Sequence, residues 1–142
     1  MTKQSTQIIS SEKNKIYLPM SADIIHSGHI DAIKKANRYG EVIIGLLTDK
    51  AIKDYKGKLP IMPFEQRKKI LENIKGVYKV IKQDSISPEP YLRSRHASYI
   101  ASGDGFEKEE VEMAKKYNVK MVNVGPKTNS SSQIKKKICQ QK

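Results

Sequence analysis

The chain has 142 residues, 37% hydrophobic and 30% charged, with a formal net charge of +12. That length fits one domain with a real core, and the composition excludes a wholly disordered or collagen-like chain. One cysteine, Cys139, excludes an internal disulfide framework and a cysteine-based metal site, and no run of ~18 apolar residues offers a spanning helix.

The first 14 residues are rich in Ser, Thr, Gln and Lys and lack the apolar core of a secretory signal. They read as a flexible tail before a single domain over residues 15–142. The first strand is expected at 16–20, Ile-Tyr-Leu-Pro-Met, although Pro19 removes a ladder donor. From Ile30, apolar residues recur at Ile33 and Ala36 with helical spacing, and Gly40 follows as a C′ residue. Residues 42–47 form a continuous apolar run, typical of a strand covered on both faces. A short helix is expected at 49–53, then a loop over 55–62 containing Lys56, Gly57, Lys58 and Pro60.

Pro63 suits the start of the next helix, because its missing N–H falls where no partner is needed. That helix should turn Ile70, Leu71 and Ile74 inward and end near Gly76. A third strand follows at 77–81. Ser87-Pro88 then opens another helix, with Ser as cap and Pro as its first residue. A fourth strand at 99–101 runs into Gly103-Asp104-Gly105. A helix over 106–118, with Val111 and Ala114 on one face, leads to a fifth strand at 121–124, and a last helix starts near Ser130. Strands alternate with helices throughout. The expected fold is therefore α/β, with a mostly parallel five-stranded sheet in a three-layer, Rossmann-like arrangement. Ligands of such folds sit beyond the carboxyl ends of the strands.

The turn His26-Ser27-Gly28-His29 carries the strongest chemistry. Two imidazoles flank a glycine at the mouth of a helix, where backbone N–H groups point at any anion, and each ring can donate to a phosphate oxygen. The +12 charge likewise favours anionic partners, although a lysine-rich solvated surface accounts for most of it.

With Asp23, this turn resembles the D-x-x-H-x-G-H signature of the cytidylyltransferase-like nucleotidyltransferases. Residues 42–49, Val-Ile-Ile-Gly-Leu-Leu-Thr-Asp, resemble the family's second strand and its aspartate. Phe64-Glu65-Gln66-Arg67 resembles its [YF]-E-x-R helix start, Gly103-Asp104 its G-D-D-W turn, and Asn129-Ser130-Ser131-Ser132-Gln133-Ile134 its I-S-[ST]-[ST]-x-I segment. Residues 18–23, 45–49 and 72–77 are most similar to the cytidylyltransferases associated with phosphoenolpyruvate mutase.

The resemblance implies transfer of CMP from CTP to 2-aminoethylphosphonate, 2-hydroxyethylphosphonate or phosphocholine. Glycerol 3-phosphate, or adenylyl transfer of the FAD synthetase type, are the enzymatic alternatives, and a non-catalytic polyanion-binding module is a distant one. It implies His26, His29, Lys56 and Arg67 as catalytic residues. Ser21, Ala22, Asp23, Gly28, Lys58, Gly103, Asp104, Ser130, Ser131 and Ser132 would contact the nucleotide. Mg²⁺ would be bridged by the phosphates, with Asp23 in its outer shell and no direct protein ligand. It further implies a homodimer. The single cysteine fits a reducing, cytoplasmic setting, the lack of a long apolar run argues against membrane insertion, and the few aromatics argue against a nucleic-acid partner. The sequence departs from the family pattern at Met20, Gly105, Phe106 and Asn129, where base and acceptor are read.

Overall fold

The computed structural model describes residues 14–125, apart from 96 and 104, together with residue 137. Strands β1 (Lys15–Met20), β2 (Glu41–Leu47), β3 (Val77–Gln83), β4 (Tyr99–Ser102) and β5 (Lys120–Asn123) form one sheet in the order β3-β2-β1-β4-β5, every pair parallel. Helices α1 (Ser27–Asn37), α2 (Asp49–Lys56), α3 (Phe64–Glu72), α4 (Glu89–Ser94) and α5 (Lys108–Lys116) alternate with them. Successive strands move outward from β1 to β3, then restart at β4 on β1's other side. The switch point therefore lies between β1 and β4, and ligands of such folds bind beyond the strand ends there.

The two faces of the sheet are covered differently. Ile16, Leu18, Val42, Ile44, Leu46 and Val80 pack with Ala32, Ile33 and Ala36 of α1 and Leu71 of α3. On the opposite face Tyr17, Ile43 and Ile100 pack with Tyr91 and Leu92 of α4, joined by Met113 and Tyr117 from around α5. β2 is buried from Val42 to Leu47 because helices cover both of its faces. Gly45 is obligatory there. A Cβ would fall 2.0 Å from the Tyr17 hydroxyl. That hydroxyl donates to Gln83 Oε1 at 2.5 Å across the strand, and its ring stacks on Tyr91 at 4.2 Å. Burial pushes the Tyr17 hydroxyl well above its usual pKa, so it stays a neutral donor.

Several local expectations are corrected. Pairing between β1 and β4 stops at Tyr17, ahead of Pro19, so the proline's missing donor falls where the two strands have already parted. Gly40 has no positive φ. It is a close-approach residue, since a Cβ would lie 2.2 Å from the Asn14 carbonyl oxygen. Tyr55 and Lys56 continue α2, which ends in the left-handed cap Gly57 at φ +83°. α3 stops at Glu72. Leu71 is fully buried, whereas Ile70 is 40% exposed, because the helix turns a narrow stripe inward. Pro88 takes the cap position of α4, and Ser87 Oγ accepts the Glu89 N–H at 3.2 Å from one residue further back. The expected tail, and the expected helix from Ser130, lie outside the described residues. Among the described residues no helix is long and apolar enough to cross a membrane.

Candidate active site

The chain leaves β1 at Met20 and enters α1 through His26, which caps the helix in extended conformation (φ −145°, ψ 179°). His26 Nδ1 accepts the Gly28 N–H at 3.0 Å, and the His26 N–H is accepted by His29 Nδ1 at 3.2 Å. The two imidazoles thus form a reciprocal capping box, a task usually done by Ser or Thr with Glu. Their centroids are 4.1 Å apart, and His29 is only 7% exposed. Because both Nδ1 atoms accept, the proton of each neutral ring sits on Nε2. The Gly28 N–H is given to His26, and the His29 and Ile30 N–H groups go to the His26 carbonyl at 3.0 and 3.4 Å. Gly28 therefore serves the cap. The Nε2 atom of His26 is itself buried, close to the positive end of α1.

Beside the turn lies a knot of buried charge. Arg67 has no exposed surface. Its Nε donates to Met62 O at 2.9 Å, Nη1 to Ser21 O at 2.7 Å and Leu47 O at 2.8 Å, and Nη2 to Asp49 Oδ1 at 2.6 Å. Arg67 was expected to contact phosphate. In this structure the guanidinium has no exposed face, and it ties the β1–α1 lead, the end of β2, the start of α2 and the 57–63 loop together. Asp23, 3% exposed, holds the same loop: its Oδ2 and Oδ1 accept the N–H groups of Ile61 and Met62 at 2.9 and 2.8 Å. The Met62 peptide is thereby gripped from both sides. Between Ser21 and Asp23, Ala22 is buried at φ +51°, a left-handed conformation that costs a non-glycine residue ~1–2 kcal/mol.

Lys56 ends α2, and Lys58 lies in the 57–63 loop; both are exposed. Gly103 follows β4 at the same edge of the sheet, and its carbonyl oxygen would lie 2.1 Å from a Cβ on Gly125, after β5. The edge thus gathers residues 21–29, Ile61 and Met62 of the 57–63 loop, and Gly103. Asp104, Ser130, Ser131 and Ser132 lie outside the described residues. Sequence reasoning gave no role to Asp49 or Met62, which anchor Arg67, nor to Thr48, whose Oγ1 caps α2 through the Ala51 N–H at 3.1 Å. The Thr-Asp pair after an apolar strand was a usable signal for a cap.

Among the described residues no three His, Cys, Asp or Glu side chains converge as a metal cage. Asp23 is committed to the loop backbone.

A parallel sheet whose central strand turns through paired histidines into a helix, at a topological switch point, defines an α/β nucleotide-binding architecture. Residues 18–138 match the family model described as cytidylyltransferase-like, and the chain belongs to that family. Bifunctional protein HldE of Alcanivorax borkumensis is 32% identical over 100 residues, covering 67% of this chain and 21% of its own; that of Wolinella succinogenes is 32% identical over 91, covering 63% and 19%. FAD synthase of Pyrococcus horikoshii is 36% identical over 73 residues, covering 51% and 49%. The chain thus spans about a fifth to a half of these relatives' lengths. A lipopolysaccharide core biosynthesis protein from Thermoplasma volcanium shares the fold, with TM-score 0.72 at 23% identity over 82% of this chain and 99% of its own.

Proposed function

We propose that this protein transfers CMP from CTP to a small phosphonate or phosphate monoester, such as 2-aminoethylphosphonate, 2-hydroxyethylphosphonate or phosphocholine. The observation that carries this reading is the reciprocal His26–His29 cap, which holds two imidazoles 4.1 Å apart, both Nδ1 atoms accepting, after β1 at the carboxyl edge of the sheet.

In the proposed step an acceptor oxygen attacks the α-phosphorus of CTP in line, a P–O bond forms, and the bond to the bridging oxygen breaks as pyrophosphate leaves. Both reactants are anions, so the protein's task is positioning and neutralisation rather than covalent chemistry. The Nε2–H groups of His26 and His29 donate to phosphate oxygens as charge shifts toward the leaving group. Lys56 and Lys58 supply mobile cations. Arg67 and Asp23 act by fixing the loop that carries Lys58. The phosphonate branch is supported by the likeness of residues 18–23, 45–49 and 72–77 to that group. Any Mg²⁺ arrives with the triphosphate as part of the substrate.

A relative named FAD synthase favours a second reading, adenylyl transfer from ATP. Pyrophosphate release with CTP or ATP, against the three acceptors, glycerol 3-phosphate and FMN, separates the two. CTP-dependent turnover with a phosphonate or phosphocholine, lost in His29→Ala, supports the first reading. Turnover with ATP and FMN alone replaces it with the second, and absence of nucleotide binding removes both.

A further inference from the structure

A cleft of about 630 Å³ opens at the other end of the sheet, lined by Lys15, Ile43, Tyr78, Lys79, Tyr91 and Arg95. Lys15 is the first residue of β1, and Tyr78 and Lys79 lie at the start of β3. In a parallel sheet this is the amino-terminal edge, roughly 15–20 Å from the histidine turn at ~3.3 Å per residue. Nothing in the proposed transfer uses it.

The cleft concentrates positive charge. Lys15 pairs with Glu41 at 3.0 Å, but Lys79 and Arg95 make no ion pair with any described residue. Burial raises the pKa of the Tyr91 hydroxyl, and the Arg95 and Lys15 cations offset only part of that rise. Like charges gathered around one hollow repel each other, and a bound anion relieves that repulsion. The hollow is larger than an inorganic anion requires and falls in the usual size range of small-molecule sites.

The cleft also offers a ring. The register of β2 with β3 slips between Val42↔Val77 and Ile43↔Lys79, leaving Tyr78 as the unpaired residue of a bulge, and its side chain is 57% exposed. Bulges re-aim side chains in this way. Lys15 Nζ sits 5.0 Å from the Tyr78 ring centroid, joining the aromatic surface to the cationic one.

We propose that this cleft is a second nucleotide site, taking a nucleoside phosphate with its phosphate on Lys79 and Arg95 and its base against Tyr78. The shared chemistry is ring plus phosphate, whether from a free nucleotide or from single-stranded nucleic acid.

Amide NMR of the full ¹⁵N-labelled chain, titrated with GMP, tests the site by location and independently of turnover. The expected result is shifts at Lys15, Tyr78, Lys79 and Arg95. Lys79→Glu with Arg95→Glu should weaken binding at least about tenfold, and Tyr78→Ala should weaken it several-fold. The three positions are exposed, so these variants keep the fold. Tighter binding of octauridylate at the same amides, with steep salt dependence, identifies nucleic acid as the source; equal or weaker binding identifies the free nucleotide. Absence of shifts at the cleft overturns the proposal. So does inorganic phosphate that reproduces the GMP shifts and affinity while Tyr78→Ala has no effect.

Discussion

The histidine turn and the Arg67 knot lie on the same edge of the sheet and use the same materials, polar side chains bonded to backbone, to opposite ends. Arg67 directs its N–H groups into the protein, onto three carbonyls and one carboxylate, from a position with no exposed surface. The histidines use their Nδ1 acceptors on the turn, which leaves the Nε2 proton as the chemically useful group. The difference teaches that a motif residue's charge does not by itself define its task. An arginine buried on three carbonyls and a carboxylate holds architecture together. An imidazole whose acceptor is anchored is an oriented donor.

Arg67→Ala offers the largest break in this comparison. Asp49 is 40% exposed and can turn to water, but the Met62, Ser21 and Leu47 carbonyls lose their donor. An unsatisfied buried group costs about 1–3 kcal/mol, and chemical denaturation should register a loss of at least that order. Arg67→Lys, which keeps the charge but not the planar fork, should lose less. If Arg67→Lys abolished turnover at unchanged stability, Arg67 would be a phosphate contact after all. His29→Ala comes next, with the reverse signature. Losing a donor aimed at developing charge costs about 10²- to 10³-fold in turnover, whereas the lost cap contributes only ~1 kcal/mol to stability. Pyrophosphate release and thermal melting, measured on the same sample, read the two separately.

This contrast also explains what could be read in the chain. The histidine turn is contiguous, so four residues and a helix start disclose it. The parallel sheet follows from alternating apolar runs, each long enough to register without its neighbours. The Arg67 knot is assembled from positions 46, 20, 18 and 5 residues away, and only the packing of α3 against β2 reveals that the guanidinium is buried. The Tyr17–Gln83 pair, 66 residues apart over Gly45, was equally invisible. Gly57 and Gly40 show the remaining ambiguity. A glycine after a helix signals either a left-handed cap or a close approach, and Gly57 proved the first and Gly40 the second.

Asp23→Asn sharpens the comparison at intermediate size. The amide keeps one acceptor but turns an N–H₂ toward a backbone N–H, and an unsatisfied buried pair costs about 1–3 kcal/mol. Hydrogen exchange at the Ile61 and Met62 amides should accelerate while exchange across β2 stays slow. Protection unchanged at both amides would show that Arg67 alone holds the loop. Gly57→Ala, at the loop's other end, should cost ~1 kcal/mol from backbone strain alone, since no atom lies within 4 Å of the added Cβ at φ +83°.

The smallest effect lies far from either cluster, on the surface between α4 and α5. Glu89 accepts the Tyr117 hydroxyl at 2.9 Å and Lys116 Nζ at 3.2 Å, and these bonds, the hydroxyl's first, hold its carboxyl below the usual carboxylate range. A lowered folded-state pKa stabilises the protein above the unfolded-state value near 4.5, and that contribution disappears as pH falls through the folded value. Glu89→Gln should therefore melt slightly below the parent at pH 7, and the gap should close as pH falls below about 4. High salt should narrow it too, because an exposed pair is screened. The Arg67–Asp49 contact, its guanidinium wholly buried although its carboxylate is 40% exposed, should lose a smaller share under the same salt. A salt titration of both variants thus distinguishes charge held in solvent from charge held in the core.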